Sequence, residues 1–278
     1  MDKIEVKVLD CFNNPGSTMM FLAKLTQRGH CIHNMKDLLN LYRSTQSKPA
    51  TVEAVAALPH GTIKRFCPIT VAIVGASRRF LAQARTHQVG FNYVSASLQY
   101  SDYSDKADFV VPYALLEADN AIKEQQMLHK VDLPSERYIS MCEEAMHAYG
   151  RIASDFDNDT AGYVAPQGLR NILIIQANHE AWMNFIRLRS CNRNTNETQY
   201  VTLRIWEELL NTPDGKEMFK FAGPDCMFGV CKEGKMRCDS SLRKSIGNAR
   251  NENVSIPRCI LNEKWPLLKE VKNNEQNK

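Results

Sequence analysis

The sequence predicts an α/β domain, a twisted sheet flanked by helices, and three observations carry that prediction. Residues 4–10 alternate apolar Ile4, Val6 and Val8 with polar Glu5 and Lys7, the period of a half-buried strand. Residues 69–74 form an apolar run rich in β-branched side chains and too short for a typical helix, which reads as a buried strand. Turn signals separate these from stretches with apolar residues at helical spacing.

Taken in order, Asn13-Asn-Pro-Gly-Ser is a turn, with Ser17 placed to cap a helix through Met20, Phe21, Ala23 and Leu25. Short helices follow at 36–42 and 51–58, joined by the polar stretch 44–49. Ser77 caps a helix carrying Phe80, Leu81, Ala84 and His87. Segments 93–100 and 108–111 are extended or loop, closed by Pro112. Residues 115–130 and 134–149 are charged helical stretches, with Pro134 in a first turn, and together make a helical insertion at about 115–150. Residues 168–177 fit strand or helix. Helices are expected at 180–188 and 202–210, the latter with Leu203, Trp206 and Leu210 on one face, while 192–198 is too rich in Asn for a stable helix. From residue 223 the composition shifts to Cys, Lys, Arg, Asn and Ser. This divides the chain into a main domain, 1–222, and a Cys-containing basic extension, 223–278, whose last residues, 273–278, are expected to be disordered. No internal repeat is visible.

Composition sets further bounds. The 278 residues allow about two domains at ~150 residues each, or one elaborated domain. An apolar content of 44% with 24% charged residues excludes collagen-like, low-complexity and wholly disordered chains. Thirty-five basic against thirty-one acidic residues leave +4, with no dense basic stripe, so no nucleic-acid partner is expected. The longest apolar runs, 69–76 and 172–175, fall short of the ~20 residues that span a bilayer, so no membrane association is expected. Nine cysteines without an export signal point to reduced thiols and a cytoplasmic location.

Three constellations bear chemistry. Gln83 and His87, four apart on the expected helix, would share a face able to hydrogen-bond a flat heterocycle, or His87 would simply complement a helix C-terminus. Around 178–189, Asn178, Asn184 and Arg189 accompany the apolar Trp182, Phe185 and Ile186. The Arg fork suits phosphate or a pyrimidine carbonyl pair, although a half-buried helix with solvated polar residues has the same pattern. Cys226-x4-Cys231-x6-Cys238, with Cys259 further on, could supply thiolates, but it lacks the tight Cys-x2-Cys pair of common zinc sites and no metal ligand is assigned. Phosphate-loop, HExxH and GxSxG motifs are absent, against P-loop NTPases, zincins and α/β-hydrolases.

The order of segments resembles the flavin-dependent thymidylate synthases. Leu58-Pro-His-Gly-Thr-Ile and Ile69-Thr-Val-Ala-Ile-Val-Gly-Ala-Ser-Arg resemble the family's strand leading into its signature helix. Gln83 to Tyr100, then Asp108-Phe-Val-Val-Pro, follow the layout of the motif RHRxxSxNExSxRY and its next strand. Tyr163-Val-Ala-Pro and 178–189 are similar to the "VLP" and "NARSLxNFLxLR" blocks, and Glu197-Thr-Gln to the acidic turn opening the last long helix. Gly223-Pro-Asp-Cys through Cys238 resembles a Cys-bearing extension of some members. The resemblance covers most of residues 4–240 and implies a mainly antiparallel sheet with flanking helices, assembled as a homotetramer with shared sites.

The departures fall on charged positions. Thr86-His87-Gln88 stands for Arg-His-Arg, Gln99 for an arginine that contacts substrate phosphate, and Gly162 for another substrate-binding arginine. Arg65-Phe66 stands for a Glu-His pair and Glu180 for the arginine of "NAR". A charge-assisted hydrogen bond is worth ~1.5–3 kcal/mol, so three or four lost contacts cost on the order of 5–10 kcal/mol. Micromolar binding amounts to only about 8 kcal/mol. Either Arg78, Arg79, Arg187 or Arg193 takes over, or the ligand is another pyrimidine nucleotide, or the chain is a non-catalytic subunit retaining the fold.

By resemblance, the activity is transfer of a one-carbon unit from methylenetetrahydrofolate to C5 of a uracil nucleotide such as dUMP, with FAD as cofactor and NADPH as hydride source. The resemblance places Arg85, His87, Asn92, Asn178 and Asn184 at the flavin. It places Gln83, Ser97, Gln99 and Arg189 at the nucleotide, with Arg189 and Ser97 in catalytic roles.

Overall fold

Two strands with apolar inner faces organise the core. In a computed structural model, which describes residues 1, 3–104, 107–125, 132–229, 231–238 and 241–268, β2 (Ile69–Ser77) buries Ile69, Val71 and Ile73, and β4 (Arg170–Ala177) buries Leu173, Ile175 and Ala177. They pair antiparallel with Ile73 opposite Leu173 and Val71 opposite Ile175. The segment open to either reading in the sequence is therefore a strand, because its alternate residues fill one face. With β1 (Glu5–Asp10) and β3 (Phe91–Ser95), the sheet has the order β1-β2-β4-β3 and every neighbour is antiparallel. Gly75, at φ +81°, marks a register shift in β2, and a Cβ there would meet the Lys3 carbonyl oxygen at 2.8 Å.

Before β2 come α1 (Pro15–Arg28), α2 (Met35–Ser44) and α3 (Pro49–Ala57). Between β2 and β4 lie α4 (Arg78–Ala84), α5 (Tyr113–Glu124), α6 (Pro134–Asp155) and α7 (Asn158–Ala161). After β4 follow α8 (His179–Arg189), α9 (Asn196–Leu210), α10 (Gly215–Met218), α11 (Ser241–Glu252) and α12 (Ile256–Lys264). The architecture is α+β, an antiparallel sheet with helices.

Helices α4, α8 and α9 share the main core with the inner sheet face through Phe80, Trp182, Phe185, Leu203, Ile205 and Leu209, all fully buried. Burial of each such side chain is worth roughly 1.5–3 kcal/mol. Leu242, Ile260, Trp265 and Leu268, beyond residue 223, belong to the same core, and Trp265 meets Tyr200 edge-to-face at 5.4 Å. A smaller core under the insertion joins Phe109, Met146, Tyr149 and Leu169. The outer sheet face stays open, with Val74, Ile172 and Val94 exposed by 44, 45 and 69%.

Three boundaries differ from the sequence reading. Helix α1 starts at Pro15, whose fixed φ suits a first turn, so Ser17 lies inside it and its Oγ accepts from the Ser47 amide at 2.9 Å. Helix α4 ends at Ala84 and excludes His87. The His87 amide closes a turn onto the Ala84 carbonyl at 3.1 Å, and the Tyr93 hydroxyl lies 2.8 Å from both the Ala84 and the His87 carbonyls. Helix α9 begins at Asn196, within the Asn-rich stretch, because the Thr195 side chain caps it by accepting from the Thr198 amide at 3.3 Å. Residues 126–131 and the expected disordered end, 273–278, lie outside the described residues. No described helix is long and apolar enough to cross a membrane.

Candidate functional site

Helix α4 is tied down at its start. The Ser77 hydroxyl accepts from the Phe80 amide at 3.1 Å and donates to Glu197 Oε2 at 2.5 Å, while the Ser77 amide donates to Glu197 Oε1 at 2.7 Å. One carboxylate in the first turn of α9 thus ties that helix to the junction of β2 and α4. Glu197→Ala leaves the buried Ser77 amide without its acceptor and is expected to lower stability by about 2–3 kcal/mol. Urea denaturation reads this directly, and an unchanged midpoint excludes the clasp.

Arg78 and Arg85, seven residues and two turns apart, present guanidiniums along one side of α4. Together with Ser95, Ser97, Gln167 and Asn171 they line a polar cleft of ≈ 430 Å³. Arg78 Nη1 donates to the Gly162 carbonyl at 3.4 Å, and burial lowers its pKa from the usual arginine range. A guanidinium therefore stands beside Gly162, the position where the sequence lacks an arginine. Arg85 Nη2 donates to Ser95 Oγ at 2.6 Å. Ser97 Oγ accepts from the Gln99 amide at 3.1 Å, and Gln99 itself is exposed and is not among the residues that line the cleft.

The second centre forms where the chain leaves α4 and α8. Arg189 Nε donates to His87 Nε2 at 2.8 Å, Nη2 to the Thr86 hydroxyl at 2.8 Å, and Nη1 to Asn194 Oδ1 at 3.2 Å. A guanidinium has only donors, so His87 Nε2 is an acceptor and the ring is neutral, protonated at Nδ1. Burial first, then the Arg189 charge, hold His87 down at about 4. Its ring packs on Phe185 and Phe91, with centroids 4.9 and 5.9 Å away. Nearby, Gln83 Oε1 accepts from the Thr195 and Thr198 hydroxyls at the start of α9. Gln83 and His87 do not share a helix face, since α4 ends between them; the turn after α4 and the capped start of α9 position them instead.

The remaining predicted residues are spread out. Asn178 caps α8, accepting from the Ala181 amide at 2.9 Å. Asn92 donates to Gln176 at 3.3 Å between exposed side chains of β3 and β4. Asn184 is exposed and accepts from Arg187 at 2.9 Å, and Arg187 pairs with Asp225 at 3.2 Å. Arg65 and Glu180, two departures from the resembled pattern, form an ion pair at 2.5 Å. They are swapped in sign together. Both side chains are largely exposed, so solvent screens the pair and it adds little to stability. Sequence reasoning missed Thr86, Asn194, Thr195 and Thr198; only the cap signal of Thr195 was readable.

Fold and site together define an α+β protein with a cationic, hydroxyl-lined cleft and, apart from it, an anchored arginine. Residues 7–212 match the thymidylate synthase complementing protein family, and the chain belongs to that family. Among similar proteins, the flavin-dependent thymidylate synthase of Clostridium tetani is 24% identical over 253 residues, covering 84% of this chain and 93% of that one. The Geobacter sulfurreducens enzyme of the same name is 23% identical over 238 residues, covering 84% and 94%. The structure of thymidylate synthase X from Helicobacter pylori with FAD and dUMP superposes with a TM-score of 0.55 at 18% identity, covering 79% of this chain and 98% of that one. This likeness concerns the fold.

Proposed function

We propose that the chain is a flavin-dependent thymidylate synthase that transfers a one-carbon unit from methylenetetrahydrofolate to C5 of dUMP, with FAD as cofactor and NADPH as hydride source. The observation that carries this reading is the cleft lined by Arg78 and Arg85, in which the Arg78 guanidinium donates to the Gly162 carbonyl. Its donor set of guanidinium, hydroxyl and amide groups fits the phosphoryl part of a nucleotide. FAD, when bound, supplies the redox and carbon-carrying chemistry.

The chain's own residues bind, orient and polarise. Ser97 and Gln99 extend the cleft for the substrate phosphate. Gln83 and Arg189 hold the pyrimidine, and Arg189 stabilises charge that builds on the ring as C5 becomes nucleophilic. His87 and Asn178 would face the flavin from one chain, and Arg85, Asn92 and Asn184 would reach it in an assembly that shares its sites. The exposed apolar sheet face around Val74, Val94 and Ile172, with Asn92 beside it, supports a homotetramer. The nine free thiols support a cytoplasmic location.

Calorimetric and absorbance titrations with FAD and dUMP test the reading. The protein should take up FAD and turn yellow, and Arg78→Ala should weaken dUMP binding by roughly 10–100-fold, from ~1.5–3 kcal/mol for a charge-assisted bond. Tighter binding of a cytosine or ribonucleotide would redirect the assignment to another pyrimidine nucleotide. A colourless protein that takes up neither ligand overturns it.

A further inference from the structure

The α8–α9 loop and the tail meet at a second cleft of ≈ 370 Å³. Cys191, Cys226, Cys231 and Cys238 line it, and so do Arg193 and Lys232. Cys191 comes two residues after Arg189, far in sequence from the other three thiols. Cys259, grouped with them in the sequence reading, is elsewhere. It is buried between α11 and α12 and donates to the Ser245 carbonyl at 3.3 Å. Burial raises the Cys191 and Cys226 pKa values, and the neighbouring thiols add to both shifts, as four sulfurs sharing one space must.

We propose that Cys191, Cys226, Cys231 and Cys238 form a four-thiolate zinc site that staples the tail to the loop following Arg189. Four thiols match the tetrahedral S4 preference of Zn²⁺. Binding deprotonates them, so one Zn²⁺ is taken up as four protons leave, and the resulting net charge of −2 is offset by Arg193 and Lys232. Among the described residues no group of three or more His, Cys, Asp or Glu is placed so that it could hold a metal ion, so binding requires the four thiols to draw together within the cleft. Gly229 and Gly234, at φ +147° and +54°, stand in the tail between Cys226 and Cys238 in conformations that other residues rarely adopt. The site would fix the loop from Arg189 to Asn194, whose side chains hydrogen-bond each other.

The test uses the full chain purified under reducing, chelator-free conditions. Elemental analysis should find about one zinc per chain, and Co²⁺ substitution should give the intense bands of tetrahedral thiolate ligation. Cys191→Ser and Cys231→Ser should each lose the metal, and Cys259→Ser should keep it. In the unmodified protein, a strong chelator should release the zinc and expose four further thiols to a thiol reagent. Absence of bound metal together with no Co²⁺ thiolate bands overturns the proposal, as does full metal retention by Cys191→Ser. These readouts do not depend on nucleotide binding, so the proposal stands or falls apart from the enzymatic reading.

Discussion

Arg189→Ala is expected to weaken dUMP binding by two to four orders of magnitude while changing FAD affinity only a few-fold. Two charge-assisted bonds at ~1.5–3 kcal/mol each give about 3–6 kcal/mol, and each 1.4 kcal/mol is a factor of ten. The guanidinium is already held by Thr86, His87 and Asn194, so its orientation is set before the nucleotide arrives. The same truncation leaves the buried His87 Nε2 without a donor, adding about 1–3 kcal/mol of destabilisation. Arg189→Lys separates the two effects: it keeps the charge, but a single ammonium lacks the planar fork that spans three acceptors. Calorimetry with both ligands is the measurement, and equal loss of dUMP and FAD binding refutes the role given to Arg189.

The largest stability effect is expected on acidification. His179 is fully buried at the start of α8, with Nε2 2.6 Å from the Met218 carbonyl, which makes that nitrogen the donor, and with Nδ1 unpartnered. Burial lowers its pKa to about 4, and His87 is likewise at about 4. The unfolded chain protonates both near the ordinary value of 6.5, before the folded chain does. Their contribution is therefore complete above pH ~6.5, is lost as pH falls from there, and levels off near pH 4. At pH 5 each histidine withdraws about 2 kcal/mol, from 1.36 kcal/mol per pH unit. The urea midpoint should drop clearly between pH 7 and pH 5, and His87→Gln with His179→Gln should flatten that profile. A wild-type midpoint that does not move across this interval shows that neither ring is held neutral by the fold.

Much of the scaffold was legible because it depends on short-range patterns. Alternating side chains in β1, a β-branched run in β2 and Ser77 three residues before Phe80 each encode their own element. The boundaries at His87 and Asn196 were less legible, because a distant Tyr93 hydroxyl receives one helix end and a threonine cap outweighs weak Asn propensity at the other. The candidate site follows the same division. Arg189 and His87 were readable as residue types that suit a heterocycle, but not as partners of each other, 102 positions apart.

The sequence by itself determined a sheet flanked by helices, the order of its blocks and the charged positions at which it departs from the pattern it resembles. Only the tertiary structure decided what those departures mean. It set Arg78 beside Gly162, paired Arg65 with Glu180 and replaced Cys259 by Cys191 among the clustered thiols. Local periodicity is written into neighbouring residues, whereas the meeting of distant polar groups depends on how sheet and helices pack, and no spacing along the chain records it.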